Sequence, residues 1–370
     1  MISVMLLIVK MEVVQVRRYY LDNIRWFTQI LVVIYHVLYM YNGEGILGGL
    51  GKITSLKTQH YDVFLYLVYP WFMSLLFIVA GISSRLYMDT HSEKEFIKSR
   101  TTKLLVPSTV SLFVFWFIQG YLSMSMSDAF QNLQGVPSIV VYMIMALSGS
   151  GPLWFLQLLW IFSIMLVPIR RIDGDRLWKL GEKANIPVIF AMTILVWGAA
   201  QILNTPVVIV YRFGLYGVMF FAGYFIFSHE EVMVRMQKAF PIILVIGLGL
   251  ASAFVISYFG QNYADAPINR GLLDNAFAWF GSLAMLSGFA RFVDFETGFT
   301  RWMSSKSFGL YVFHYIGIAA VALFIAKPAL LPAPVIYILS TMAGFGGGIL
   351  LSFVFSKLPF FRWALLGIKK

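Results

Sequence analysis

The chain has 370 residues, of which 59% are hydrophobic and 12% are charged, and its mean hydropathy is +0.79. A soluble domain of this length carries about twice that share of charged residues, so the composition indicates a membrane protein with several spans. The chain has no cysteine, which excludes disulfides, a thiol nucleophile and thiolate metal sites.

Ten apolar runs in the sequence are long enough to cross a bilayer as helices. They lie at 24–41, 62–82, 104–124, 153–169, 187–203, 209–228, 239–259, 272–291, 308–326 and 334–356. A shorter apolar segment at 136–147 fits a short or re-entrant helix. The connections are short, and we find no internal repeat. The sequence therefore predicts an all-α, polytopic bundle of about ten transmembrane helices. It forms one domain, residues 19–370, after a cytoplasmic leader, residues 1–18.

Lysine and arginine are concentrated in alternate loops. The loops at 83–103 and 170–186 hold five basic residues each, whereas the loop at 125–152 holds none. By the positive-inside rule, this pattern predicts that both termini are cytoplasmic. The same pattern accounts for the formal net charge of +11. We therefore expect the lipid bilayer, and not nucleic acid, as a partner.

The first span carries a polar face. Arg25 and His36 are eleven residues apart, which brings an α-helix back to within about 20° of its starting direction after about 16 Å of rise. Gln29 lies on the same face, and Asp22 and Tyr39 lie at its edges. A polar face inside a membrane helix is costly unless it lines a protein-walled cavity. The pattern therefore predicts a functional cavity along this helix.

Two residues of this face also have a structural interpretation. Arg25 fits a residue that extends to the cytoplasmic interface and pairs with Asp22, three residues earlier. A neutral histidine such as His36 costs little when it is hydrogen-bonded inside a helix bundle. Their presence together on one face favours the functional interpretation.

Three later segments carry further candidate residues. Arg100 and Lys103 are three residues apart and can reach one anionic group, although the positive-inside bias explains them as well. Trp154 follows a Gly-Pro pair and fits an aromatic belt at the outer interface. Tyr311 and His314 share one flank of the ninth span, near its predicted cytoplasmic end. His314 fits either a hydrogen bond between helices or a catalytic role.

Several catalytic motifs are absent from the sequence. It has no HExxH motif, no clustered histidine and acidic metal set, no P-loop and no GxSxG elbow. We therefore expect no metal, and hydrolysis by a metal or by a serine elbow has no support.

Taken in chain order, these motifs resemble those of the acyltransferase-3 family of integral-membrane acyltransferases. The matching segments are Arg25 and His36 with ten residues between them, LLFIVAGISS at 75–84, Arg100-Thr-Thr-Lys103 with Pro107, PLWFL at 152–156, and SFGLYVFH at 307–314. The family typically has a second arginine where this chain has Lys103, which removes one bidentate donor for phosphate.

The resemblance implies an O-acyltransferase in a bacterial plasma membrane. Its donor would be an acyl-CoA, most simply acetyl-CoA, which acts as a co-substrate with no permanently bound cofactor. Its acceptor would be a hydroxyl of a cell-surface or lipid-linked carbohydrate. On this reading His36 and Arg25 are catalytic, and Arg25, Arg100 and Lys103 bind the donor phosphates from the cytoplasmic side. The candidate lining residues are Asp22, Gln29, Tyr39, Trp154, Tyr311 and His314.

Two other classes of protein fit parts of the pattern. A polar path that crosses the bilayer and contains a histidine is also what a transporter or exporter requires. A transporter of this kind would show broken helices and an inverted repeat, and neither is clear in the sequence. A non-catalytic receptor or scaffold would not need an arginine and a histidine on one helix face.

Overall fold

The computed structural model describes residues 17–202 and 212–369, so all but the last two residues of the predicted leader lie outside the described part. Within these ranges the protein is helical and has no β-strand. The helices are α1 Tyr19–Met40, α2 Val63–Met88, α3 Glu93–Met126, α4 Ser138–Ser148, α5 Trp154–Asp173, α6 Arg176–Gly181, α7 Ile186–Ala199, α8 Phe213–Phe225, α9 Glu230–Tyr258, α10 Leu272–Phe292, α11 Gly298–Ala326, α12 Ala333–Lys357 and α13 Pro359–Leu366. The all-α prediction is confirmed.

Six helices in the described part are long and apolar enough to cross a membrane: α2, α3, α5, α9, α11 and α12. The apolar helices α4, α7 and α8 are shorter, and α4 corresponds to the segment at 136–147. Helices α1 and α10 have 22 and 21 residues but contain more polar side chains. Each of the ten apolar runs thus overlaps a helix of the described part, while the number of spans and the side of the termini stay predictions.

Helix α2 lies at the centre of the bundle and packs against α1, α8 and α10. Its contact with α8 is close because two glycines meet the opposite backbone. A Cβ atom at Gly81 would lie 2.0 Å from the carbonyl oxygen of Phe220, and one at Gly223 would lie 2.1 Å from that of Ile78. Small residues allow membrane helices to approach in this way. Helices α9 and α12 are mostly unburied and apolar, as contact with lipid requires.

Helix α3 is a continuous helix with two π-helical segments, Thr101–Leu105 and Leu112–Trp116. A π segment widens the turn by one residue and so changes the direction in which neighbouring side chains point. The first segment begins directly after Arg100, and it contains Lys103.

Helix α11 begins at Gly298, well before the apolar run from which the ninth span was predicted. A capping box formed by Thr297 and Thr300 starts the helix, and its polar first turns were not part of the apolar run. His314 therefore lies in the middle of α11. Its depth in the membrane span, near the cytoplasmic end by the sequence, stays a prediction.

Candidate active site

Two histidines from distant parts of the chain are in direct contact. Helices α1 and α11 pack side by side, and His314 Nε2 lies 3.1 Å from His36 Nδ1. His314 is fully buried, whereas His36 is half-buried and lines a cavity. The contact makes His314 part of the same site as His36.

Hydrogen bonds to backbone carbonyl oxygens determine which nitrogen of each histidine ring carries the hydrogen. His314 Nδ1 lies 2.8 Å from the carbonyl oxygen of Tyr311, so in a neutral ring this nitrogen carries the hydrogen and Nε2 accepts. His36 Nδ1 must then donate, either to His314 Nε2 or to the carbonyl oxygen of Val32 at 2.8 Å. His36 Nε2 is left with a lone pair, and no described residue forms a hydrogen bond with it. That nitrogen is available as a proton acceptor.

The cavity beside His36 has a volume of about 270 Å³ and an aromatic wall. The aromatic residues in its lining are Tyr35, Tyr39, Phe72, Tyr69, Trp154, Tyr216, Tyr311 and Tyr315. Trp154 is in this lining and stacks on Tyr216 with the ring centres 5.4 Å apart. We call this space the histidine cavity.

One end of the histidine cavity is covered by the loop between α1 and α2. Leu47 and Gly48 of this loop are in the cavity lining. The hydroxyl of Tyr39 donates to the carbonyl oxygen of Leu47, and that of Tyr315 donates to the carbonyl oxygen of Gly48 at 3.1 Å. Gly48 has a φ of +103°, and a Cβ atom there would lie 2.7 Å from the Tyr39 hydroxyl. Only glycine fits this position without strain.

A second cavity, of about 180 Å³, contains two arginines and is called here the arginine cavity. Its polar lining residues are Arg25, Gln29, Ser83, Arg100, Ser307 and Tyr311. Ser83 accepts a hydrogen bond from Arg25 Nη2, and Ser84 accepts one from Arg100 Nη2 at 3.1 Å. Adjacent serines at the end of α2 therefore position both guanidinium groups. From the sequence we did not assign Ser83 and Ser84 this role, because Arg25 and Arg100 lie 58 and 16 positions away from them. The available signal was two adjacent hydroxyls at the end of the segment 75–84.

The arginine cavity has more positive than negative charge around it. Arg25 forms an ion pair with Asp22 at 2.6 Å, as the sequence predicted, but Asp22 also pairs with Arg17 at 2.9 Å. The described partners of Arg100 include no carboxylate: it bonds Ser84, and its guanidinium lies 5.0 Å from the centre of the Phe96 ring. Two arginines with so little compensation favour an anionic ligand.

Comparison with known families identifies the family of this chain. Residues 18–357, nearly the whole chain, match the family model described as an acyltransferase domain. The chain belongs to the acyltransferase-3 family. No curated protein and no solved structure gives a significant match to this acyltransferase-3 protein. The matched residues include both cavities, and membership favours an acyltransferase over the transporter and receptor alternatives.

The two cavities of this acyltransferase-3 protein lie in series. Tyr311 is in the lining of both, and its hydroxyl donates to the carbonyl oxygen of Pro152 at the start of the fourth predicted span. The order along the path is thus Arg25 and Arg100, then Tyr311, then His36. Arg25 and His36 share one helix face but contact different cavities.

Lys103 faces a different space from Arg100. It lines a cavity of about 610 Å³ together with Lys98 and Lys369. This cavity meets the arginine cavity at Phe308, which lines both. The π segment that begins after Arg100 changes the direction of the Lys103 side chain. The two cations of this acyltransferase-3 protein therefore do not converge on one point. Across the described residues, no three His, Asp or Glu side chains are placed to hold a metal ion.

Proposed function

We propose that this protein transfers an acyl group, most simply acetyl, from cytosolic acyl-CoA to a hydroxyl of a cell-surface or lipid-linked carbohydrate. The observation that carries the proposal is the pair of cavities in series, one with two arginines and the other with the available nitrogen of His36. Acyl transfer from a phosphate-bearing thioester needs an anion site and a base, separated by the length of the donor arm.

The proposed reaction uses His36 as base and then as acid. His36 Nε2 takes the proton of the acceptor hydroxyl as its oxygen attacks the thioester carbonyl carbon. The tetrahedral intermediate collapses, the carbon–sulfur bond breaks, and the CoA sulfur leaves with the proton from His36. His314 Nε2, 3.1 Å from His36 Nδ1, accepts a hydrogen bond from the charged ring and holds its orientation. His314 is therefore a positioning residue.

Arg25 and Arg100 are proposed to bind the donor phosphates. Arginine is always charged at physiological pH and presents a planar fork of donors that matches phosphate. Because Tyr311 lies between Arg25 and the histidine cavity, Arg25 fits donor binding better than proton transfer. Lys103 belongs to the neighbouring cavity and is assigned a supporting electrostatic role at the cytoplasmic entrance.

The aromatic wall of the histidine cavity supports a carbohydrate acceptor. Six tyrosines, one phenylalanine and one tryptophan line it. Such side chains offer an apolar face for the C–H surface of a sugar ring, and tyrosine adds a hydroxyl for a polar partner. The positive-inside pattern supports a donor that approaches from the cytoplasmic side of a bacterial plasma membrane and an acceptor that approaches from the outer side.

The experiment that tests the proposal compares acyl groups on surface glycans. We expect ester-linked acyl groups to be present in a strain that makes the protein, and lost both when the gene is deleted and when it is replaced by the His36→Ala variant. Purified protein in nanodiscs should bind acetyl-CoA. Unchanged glycan acylation in both strains would rule out this acceptor class, and absence of acetyl-CoA binding would rule out this donor.

A further inference from the structure

The amide of Gln29 is the feature of the arginine cavity that donor phosphates do not explain. Gln29 is only 6% exposed and lines the cavity beside Arg25 and Arg100. Its Oε1 atom is shielded from water, and none of the described residues donates a hydrogen bond to it. A buried acceptor without a donor is costly, and native structures rarely keep one. A ligand that fills this cavity is therefore expected to bring a donor to Gln29.

The chemistry of the amide restricts what that ligand group can be. An ionised phosphate has only acceptor oxygens, so it can pair with the arginines but not with Gln29 Oε1. A side-chain amide has one acceptor and two donors, and another amide satisfies both kinds at once. An amide–amide pair satisfies both atoms of Gln29 in either assignment of its oxygen and nitrogen, whereas a phosphate can accept only from the nitrogen.

We propose that Gln29 binds an amide of the pantetheine arm of the acyl-CoA donor, an inference that rests on the proposed function. On α1, Gln29 lies about 6 Å of helix rise from Arg25 and about 10 Å from His36. In an extended pantetheine arm, the amide nitrogen nearer the phosphate lies roughly 7 Å from phosphorus and roughly 8 Å from sulfur, with about 3.5 Å for three consecutive bonds.

These lengths give Gln29 a definite role in donor binding. With phosphate at Arg25 and the amide at Gln29, the thioester reaches past Tyr311 into the histidine cavity. Gln29 sets the depth of the arm and selects thioesters that carry a pantetheine amide. It is a binding residue for the donor, distinct from the anion site that the arginines form.

The test separates the two ends of the donor. Radiolabelled acetyl-CoA bound to the full-length protein in nanodiscs is displaced with pantetheine, which has the amides, or with adenosine 3′,5′-bisphosphate, which has only the phosphate end. Gln29→Met keeps the size of the side chain and removes its hydrogen-bonding groups. The matched control is Gln119→Met: Gln119 is also buried with an unpaired Oε1 atom, but it lines neither cavity.

We expect Gln29→Met to weaken acetyl-CoA binding and pantetheine competition by about three- to tenfold, which is the loss of one neutral hydrogen bond. Competition by adenosine 3′,5′-bisphosphate should stay within twofold of wild type in Gln29→Met. In Gln119→Met, acetyl-CoA binding and competition by both competitors should stay within twofold of wild type. Unchanged acetyl-CoA affinity in Gln29→Met, or an equal loss of competition for both competitors, would overturn this inference and leave the proposed function standing. Failure of the wild-type protein to bind acetyl-CoA would overturn the proposed function with it.

Discussion

His314 Nε2 lies 3.1 Å from His36 Nδ1, so the buried histidine of α11 holds the half-buried histidine of α1 through a ring-to-ring hydrogen bond. The carbonyl oxygen of Tyr311 holds the other nitrogen of His314 at 2.8 Å. Together these contacts leave the lone pair of His36 on Nε2, the ring nitrogen with which no described residue forms a hydrogen bond. The arrangement orients a base without placing a second charge in the membrane.

The first prediction concerns the base itself. His36→Ala should lower the rate of acyl transfer by about 10²- to 10⁴-fold, because this is the typical contribution of a positioned proton acceptor. The measurement is acyl transfer by purified protein, with detergent-melting temperature as the check on folding. His60→Ala is the control, because His60 is exposed and lies outside both cavities. Activity of His36→Ala within a few-fold of wild type would remove His36 from the mechanism.

The second prediction tests the orienting role of His314. His314→Leu should lower kcat by about tenfold or more, because the Nδ1–H group of His36 loses its side-chain acceptor. His314→Gln should recover part of that rate, because its amide oxygen accepts from the same hydrogen. The KM for acetyl-CoA should stay near the wild-type value in both variants. Equal rates for the Leu and Gln variants would indicate that His314 acts by packing alone.

The third prediction separates shape from charge at Arg25. Arg25→Lys keeps a cation but removes the planar fork that bonds Asp22 and Ser83 and that we propose for a donor phosphate. Acetyl-CoA binding measured by calorimetry should weaken by about tenfold, a loss of about 1.4 kcal/mol. Arg176→Lys, at an exposed position outside the lining of both cavities, is the control. An unchanged affinity for Arg25→Lys would leave Arg25 with an interfacial role only.

The fourth prediction tests the orientation from which the donor side was inferred. The chain has no cysteine, so single cysteines report without background. Lys94→Cys and Gln131→Cys are both exposed positions on opposite predicted sides. A membrane-impermeant maleimide added to intact cells should label position 131 and not position 94. Labelling of position 94 from outside would invert the topology and the proposed route of the donor.

The fifth prediction concerns the loop that covers the histidine cavity. Burial, together with the neighbouring Asp62 carboxyl, raises the pKa of Glu44 to about 7. Because the raised pKa means that the folded protein binds this proton more tightly than the unfolded chain, stability should fall as the pH rises from about 4.5 to about 7. Glu44→Gln removes this titration. Its melting temperature should therefore decline less than that of wild type between pH 5 and pH 8, and parallel declines would contradict the assignment.

The sequence by itself determined the features that depend on local chemistry. Apolar runs of sufficient length predict membrane helices, because every backbone polar group must be paired within the hydrocarbon layer. The polar face of α1 followed from the helical repeat alone, and the pairing of Arg25 with Asp22 followed from their spacing on that helix. The resemblance of the motifs to the acyltransferase-3 family was likewise confirmed.

The tertiary structure alone decided which of these residues meet. His314 contacts His36 across 278 positions of sequence, and no local pattern specifies the rotation of α11 against α1 that brings the rings together. Ser83 and Ser84 act on arginines from two other helices, and the π segment of α3 separates Lys103 from Arg100. Side-chain direction at a site depends on how whole helices pack and where their turns widen, and that is a property of the folded bundle.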